Sequence, residues 1–393
     1  MSSIGPQKGL KRKKVLVVGM LDSVHFARWL KQFENQNIDF FIFASKKYRK
    51  MNPILLSIAA ETTSAKFKHI LFQRFLFISG YLDFVFFELI RKFLRKDLRS
   101  WFLSHFLKIN KFDFIHALEL QGAGYLVSSL KREIFSGSQI IITNWGSDIY
   151  FYKSDPKHKV LIARTLALAD FYSAECIRDY SLARELGFSG IDLPCIPNAG
   201  GFDVRGTVSS YPIPANRKQV LIKGYGNTFG RAQLVIELLP NLLQKYPQFN
   251  FHFYSVTDDI YNLLSELPIE IFSRLKITTA RNKLTHSEMI SEFGKSRIYV
   301  GCSASDGIST SFLEALITGC YPIQTNTSCA NEWVDRGASA SIIPLDGETL
   351  MREIERALLD DHLVNQAAIA NFQVAQNYLS FSVIQRQSLK FYG

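Results

Sequence analysis

The chain has 393 residues, 47% apolar and 21% charged, with a formal net charge of +11. That length suits two domains of about 150 to 200 residues each, and the balance excludes a disordered chain and a membrane-spanning class. Five scattered cysteines, Cys176, Cys195, Cys302, Cys320 and Cys329, form no CxxC pair. Neither a disulfide framework nor a zinc site is supported, and buried thiols in a reducing cytosol are expected.

At the N-terminus Lys8, Lys11, Arg12, Lys13 and Lys14 run straight into VLVVG, with no apolar stretch of signal-peptide length, so no export is expected. Val15 to Val18 reads as a buried parallel strand, and Gly19 to Asp22 as a turn. A helix capped by Ser23 or Asp22 follows, with Phe26, Leu30 and Phe33 on its apolar face. Phe40 to Ala44 completes a β-α-β start. The longest apolar candidate, Ile70 to Ile90, contains Gln73, Arg74, Asp83 and Glu88, whose burial in a bilayer would cost several kcal/mol, so it is not expected to span one.

Between Lys66 and Lys108 nine Lys or Arg stand against three Asp or Glu, among about a dozen aromatics. Phe86 to Phe106 has helical periodicity. Phe86, Leu89, Ile90, Phe93, Leu94, Leu98, Trp101 and Phe102 share one face, and Arg91, Lys92, Arg95, Lys96 and Arg99 the other. An amphipathic helix of this kind covers a sheet or lies on an anionic bilayer, where each cation adds about 1 kcal/mol. The charge excess favours peripheral membrane contact. No nucleic-acid-binding signature accompanies it.

Further strands are expected at Phe114 to His116, Ile140 to Thr143, Phe171 to Ala174 and Cys195 to Ile196. The stretch from Pro197 to Asn216 breaks the periodicity and reads as a linker. The alternation then restarts with strands at Gln219 to Ile222, Phe251 to Tyr254, Leu275 to Thr278, Ile298 to Gly301 and Tyr321 to Gln324. Helices are expected at Ala232 to Lys245, His286 to Phe293, Ser311 to Thr318 and about Leu363 to Lys390. Repeated β-α alternation implies parallel sheets covered on both faces. The fold class is therefore α/β, two Rossmann-like doubly wound domains facing a cleft, 1–205 and 206–370.

Ligands of such sheets bind beyond the carboxyl ends of the strands. The most informative segment there is Ser305-Asp306-Gly307-Ile308-Ser309-Thr310-Ser311-Phe312-Leu313-Glu314-Ala315. Asp306 before the helix can meet sugar hydroxyls, and Glu314, two turns on, can take a ribose diol. The amides around Gly307, Ile308, Ser309 and Thr310 carry the partial positive charge of a helix N-terminus, which suits phosphate. Lys223 and Arg231 bracket the Gly-rich turn KGYGNTFGR, whose first glycine is Gly224. Fixed cations there can stabilise a departing diphosphate.

The strings KFDFIHALELQGAGY, TNWGSDIY, PNAGGFD and SDGISTSFLEALITGCYPIQTNTSCANEW together resemble a retaining GT-B glycosyltransferase of the family 4 type. The last contains that family's E-x7-E signature, with Asp306 in the first acidic position, one methylene shorter, and Glu314 in the second. The resemblance implies that Asp306 contacts the donor sugar and Glu314 the ribose, and that Lys223 and Arg231 form a basic pair on the diphosphate, at a spacing longer than usual. Trp145 stands where many relatives carry histidine. Asp148 is expected on the reacting side, with Gly19, Ser23, His25, His116 and Trp145 on the acceptor side. The resemblance also implies that domain 1–205 binds the acceptor and 206–370 the nucleotide sugar, and that 371–393 is a helix crossing back to the first.

The implied activity is metal-independent transfer, with retention, from a UDP- or GDP-linked sugar to a glycan or lipid-linked acceptor. Cell-surface polysaccharide, lipopolysaccharide or glycolipid synthesis is the setting, in the cytoplasm or on the inner face of the cell membrane. No cofactor and no metal are expected. A nucleotide-sugar epimerase and a non-catalytic binding partner of the same fold remain open alternatives. Fold alone does not separate them.

Overall fold

The computed structural model describes residues 12–46, 48, 50–61, 66–69, 98–208 and 211–393. The candidate span at Ile70 to Ile90, and the Phe86 to Phe106 helix up to residue 97, lie outside the described residues. The chain divides into two compact units. One comprises the described residues up to Glu175, 179–200 and 385–393; the other comprises 176–178 and 201–384.

In the first unit the strands are β1 (Lys13–Gly19), β2 (Ile38–Ala44), β3 (Lys66–His69), β4 (Phe114–Leu118), β5 (Gln139–Thr143), β6 (Phe171–Ser173) and β7 (Ile191–Asp192). They form one sheet in the order β3-β2-β1-β4-β5-β6-β7, every pair parallel. Val15 to Val18 are wholly buried in its centre, as a continuous apolar run between two helical layers requires.

The second unit repeats the plan with β8 (Gln219–Lys223), β9 (Asn250–Val256), β10 (Leu275–Thr279), β11 (Ser296–Gly301), β12 (Tyr321–Thr325) and β13 (Ser341–Ile343). Its order is β10-β9-β8-β11-β12-β13, also parallel throughout. Val220, Ile222, Phe251, Phe253, Ile298 and Val300 pack with Leu239 and Leu242 of helix Gln233–Lys245 into one core. Each such side chain contributes about 1.5–3 kcal/mol relative to exposure. In each sheet the strand order reverses beside the first strand, between β1 and β4 and between β8 and β11. These are the switch points at which a doubly wound sheet opens a ligand crevice.

Two expected elements differ. No strand forms at Cys195–Ile196, because Pro194 and Pro197 flank it and cannot donate to a ladder; the edge strand is Ile191–Asp192 instead. The C-terminal helix is not continuous. It breaks between Asp361–Tyr378 and Phe381–Leu389, where Phe202 pairs with Ser380: its amide bonds to the Leu379 carbonyl and its carbonyl accepts from Phe381. Among the described residues, no helix is long and apolar enough to cross a membrane.

Candidate functional site

In the second unit, β8 ends at Lys223 and leads into the turn 224–231. Gly224 is locked into the sheet edge, its amide bonded to the Tyr254 carbonyl and its carbonyl to the Thr257 amide. Gly230 approaches the Tyr225 carbonyl so closely that any Cβ would collide with it. The turn docks on the strand end after β11, with Arg231 donating its amide to Cys302 and Ala304 donating to Phe229.

The Lys223 ammonium lies 3.2 Å from Ser309 Oγ and 4.7 Å from the centre of the Tyr225 ring. Burial alone would lower its pKa. The Tyr299 phenol, Asp306, Tyr225 and Glu314 outweigh that effect and hold it above the usual lysine range. Lys223, Asp306 and Glu314 therefore share one electrostatic environment. The Arg231 guanidinium, by contrast, donates to the carbonyls of Thr228 and Gly230, at 3.3 and 2.6 Å, and so fastens its own turn.

Beyond β11, the half-buried Asp306 accepts the Gly307 amide at 2.9 Å, and its carbonyl accepts Arg178 at 3.1 Å. Ile308 and Ser309 are buried, and helix Thr310–Thr318 begins without a side-chain cap. Its first intrahelical bond joins Leu313 to Ser309, so the amides of Thr310, Ser311 and Phe312 precede the ladder. Such amides suit an anion. Of the expected amide donors, Gly307 is taken by Asp306 and Gly224 by the sheet.

Glu314 lies just over one turn into this helix, which is buried from Ser311 to Thr318 and ends at Gly319 in the left-handed region. Its Oε1 is 3.2 Å from His286 Nε2. Beneath the site Tyr254 donates to Ser311 Oγ at 2.6 Å, and Tyr299 to Gln324 at 3.3 Å. Sequence reasoning missed His286, Tyr254 and Tyr299. Only His286 had a local signal, the capping box formed by Thr285 and Glu288 that starts its helix.

At the strand ends of the first unit, Ser23 caps helix Val24–Lys31, and Gly19 lets the Phe26 ring close over β1. His25 and Trp145 meet edge to face, ring centres 5.8 Å apart. Asp148 Oδ2 accepts the amides of Leu120 at 2.8 Å and Trp145 at 3.1 Å, tying two loops together. Burial, with Glu119 and Glu175 nearby, raises its pKa well above the carboxylate range. Glu119 caps the turn 120–124 through Gly122 and Ala123.

His116 corrects an expectation. It is wholly buried, bonded to Tyr392 at 2.8 Å and Thr143 at 2.6 Å, and burial lowers its pKa to about 3. It is a neutral structural group and cannot meet an acceptor.

One group with metal-binding potential exists among the described residues. Cys176, Cys329 and Glu332 bring ligand atoms within 4.8 Å of one another, but the Glu332 oxygens already accept the amides of Ile177 and Arg178.

Residues 14–178 match the family described as glycosyl transferase 4-like. No curated sequence matches the chain. Among solved structures, HepE of Anabaena in complex with UDP and glucose is similar at TM-score 0.68 and 12% identity, over 97% of this chain and 99% of that one. Sucrose-phosphate synthase from Thermosynechococcus elongatus gives 0.68 and 14%, over 97% and 98%. An α,α-trehalose-phosphate synthase (UDP-forming) from Burkholderia vietnamiensis gives 0.66 and 9%, over 97% and 99%. Identities this low speak for the fold. The chain therefore has the GT-B fold, and its residues 14–178 carry a glycosyl transferase 4-like segment.

Proposed function

We propose that this protein is a retaining, metal-independent glycosyltransferase that moves a sugar from a UDP- or GDP-linked donor to a hydroxyl of a glycan or lipid-linked acceptor. The observation that carries this reading is the Lys223 ammonium 3.2 Å from Ser309 Oγ at the uncapped start of helix Thr310–Thr318, within the electrostatic reach of Asp306 and Glu314. Glu314 takes the ribose diol and Asp306 the donor sugar. As the sugar–phosphate bond breaks, negative charge grows on the leaving diphosphate. Lys223 and the amides of Thr310, Ser311 and Phe312 stabilise it, a fixed arrangement that needs no reorganisation at the moment of reaction. Arg231 shapes the turn, and Lys223 carries the charge.

Support for the donor class comes from HepE of Anabaena, which was solved in complex with UDP-glucose. The first unit is assigned the acceptor, with His25 and Trp145 at its strand ends. A membrane-borne acceptor at an anionic surface suits the net charge of +11 and the exposed Trp101.

The test is calorimetric titration of UDP and GDP into wild type, Lys223→Ala and Glu314→Ala. One nucleotide is expected to bind the wild type, with affinity lowered about 100-fold by loss of Lys223 and about tenfold by loss of Glu314. Unchanged affinity in both variants would refute the assignment.

A further inference from the structure

Glu314 has one contact that the donor reading leaves unused. Its Oε1 meets His286 Nε2 at 3.2 Å, with Glu314 8% exposed and His286 46% exposed. The backbone at His286 is placed by its own helix. His286 opens helix His286–Lys295, where Thr285 Oγ accepts the Glu288 amide and the Glu288 carboxylate accepts the Thr285 amide at 2.7 Å. That helix packs against Thr310–Thr318, so two rigid elements fix the pair.

We propose that His286 is the positioning residue for the nucleoside end of the donor site. By holding one oxygen of Glu314 it aims the other at the ribose diol, and its half-exposed ring forms the rim there. The inference rests on the proposed donor site and adds a residue to it. A side chain that can choose among rotamers loses entropy when a ligand fixes it, whereas one already pinned does not. His286 thus acts on ribose recognition and not on the diphosphate, which belongs to Lys223.

The experiment titrates the full chain with whichever of UDP and GDP the wild type binds more tightly, and with its 2′,3′-dideoxy counterpart. The proteins are wild type, His286→Ala, His286→Gln, Glu314→Gln and the double variant His286→Ala/Glu314→Gln. Loss of the imidazole should weaken the ribonucleotide about tenfold and the dideoxy form less than about twofold, as expected for one polar contact to a charged group. Glutamine at 286 should recover most of the loss, and the double variant should be no weaker than Glu314→Gln alone. Equal weakening of both nucleotides, or none, overturns the role of His286 and leaves the donor site standing. A wild type that binds neither nucleotide, or does not distinguish ribose from dideoxyribose, removes the donor reading and this inference with it.

Discussion

The strand-end loops of the two units are built from similar side chains put to opposite uses. In the first unit the polar groups satisfy the protein itself: Asp148 ties Leu120 to Trp145, Glu119 caps the turn after β4, and His116 is sealed between Thr143 and Tyr392. In the second unit Lys223 lies against Ser309 at a helix start that no side chain caps, with Asp306 in the loop before that helix and Glu314 just over one turn into it. A charged residue near a sheet edge is therefore not in itself a sign of chemistry. What separates the two cases is how fully the protein consumes each group: Asp148 and Glu119 each accept two backbone amides and His116 has a partner on both nitrogens, whereas Lys223 meets one hydroxyl and Glu314 one half-exposed imidazole.

The largest expected effect tests the second unit. Lys223→Ala should cost about 3–4 kcal/mol of transition-state stabilisation, a drop of about 10²–10³ in kcat/KM, with the thermal midpoint nearly unchanged. Transfer assays and a melting curve on the same samples check both halves of the statement. A variant that melts early while its remaining folded fraction turns over normally would make Lys223 another structural group and erase the contrast.

The mirror experiment in the first unit has a somewhat smaller effect, on stability. Asp148→Ala orphans the amides of Leu120 and Trp145 and should destabilise by about 2–3 kcal/mol in urea unfolding. Asp148→Asn keeps an accepting oxygen and removes a carboxyl that resists ionisation. Its folded pKa lies above the unfolded value, so the acid stabilises below the unfolded pKa and that stabilisation is lost as pH rises through the folded one. At pH 7, above the unfolded pKa, the wild type has lost that stabilisation, so the Asn variant should be at least as stable as wild type. If Asp148→Asn abolishes transfer while folding normally, the carboxylate takes part in the reaction and the first unit is not merely self-satisfied.

A third effect treats both units alike. His116 in β4 is held near pKa 3 by burial, and His252 in β9 near 4 by burial and the Lys276 charge, against the pull of Glu292. Both stay neutral in the folded protein while the unfolded chain takes up protons below about pH 6.5. The unfolded state then binds more protons, so stability falls as pH falls. The slope is about 1.4 kcal/mol per pH unit for each histidine between roughly pH 6 and 4.5. Urea titrations across that window should show it. If the units unfold in separate transitions, each should carry one histidine's share, and a flat profile would mean that water reaches both rings.

Much of this was legible in the chain. Continuous apolar runs such as VLVV in β1 can only be buried parallel strands, and Asp306 and Glu314 lie on one helical segment whose chemistry depends on local spacing. The pairing of Glu314 with His286 was not legible, because it joins residues 28 positions apart through the packing of two helices. The inert state of His116 was hidden for the same reason: one of its partners, Tyr392, is 276 residues away. The break after Tyr378 carries no proline or glycine and arises from the pairing of Ser380 with Phe202. Local chemistry is written locally, whereas satisfaction of a polar group is a tertiary fact.

The smallest effect concerns the exterior of the first unit. Helix Leu98–Ile109 buries Leu103 and Leu107 and packs Phe102 and Phe106 against the core, which leaves Trp101 57% exposed and stacked on His105. The expected apolar face thus splits, with Phe102 inward and Trp101 outward. An outward tryptophan adds little to folding, so Trp101→Ala should change unfolding free energy by less than about 0.5 kcal/mol. On a bilayer the same ring would sit at the headgroup level. The variant should therefore bind phosphatidylglycerol vesicles several-fold more weakly than wild type in cosedimentation, at unchanged nucleotide affinity. Equal vesicle binding would move the membrane contact away from this helix. No binding by wild type would assign its charge excess to a partner other than an anionic bilayer.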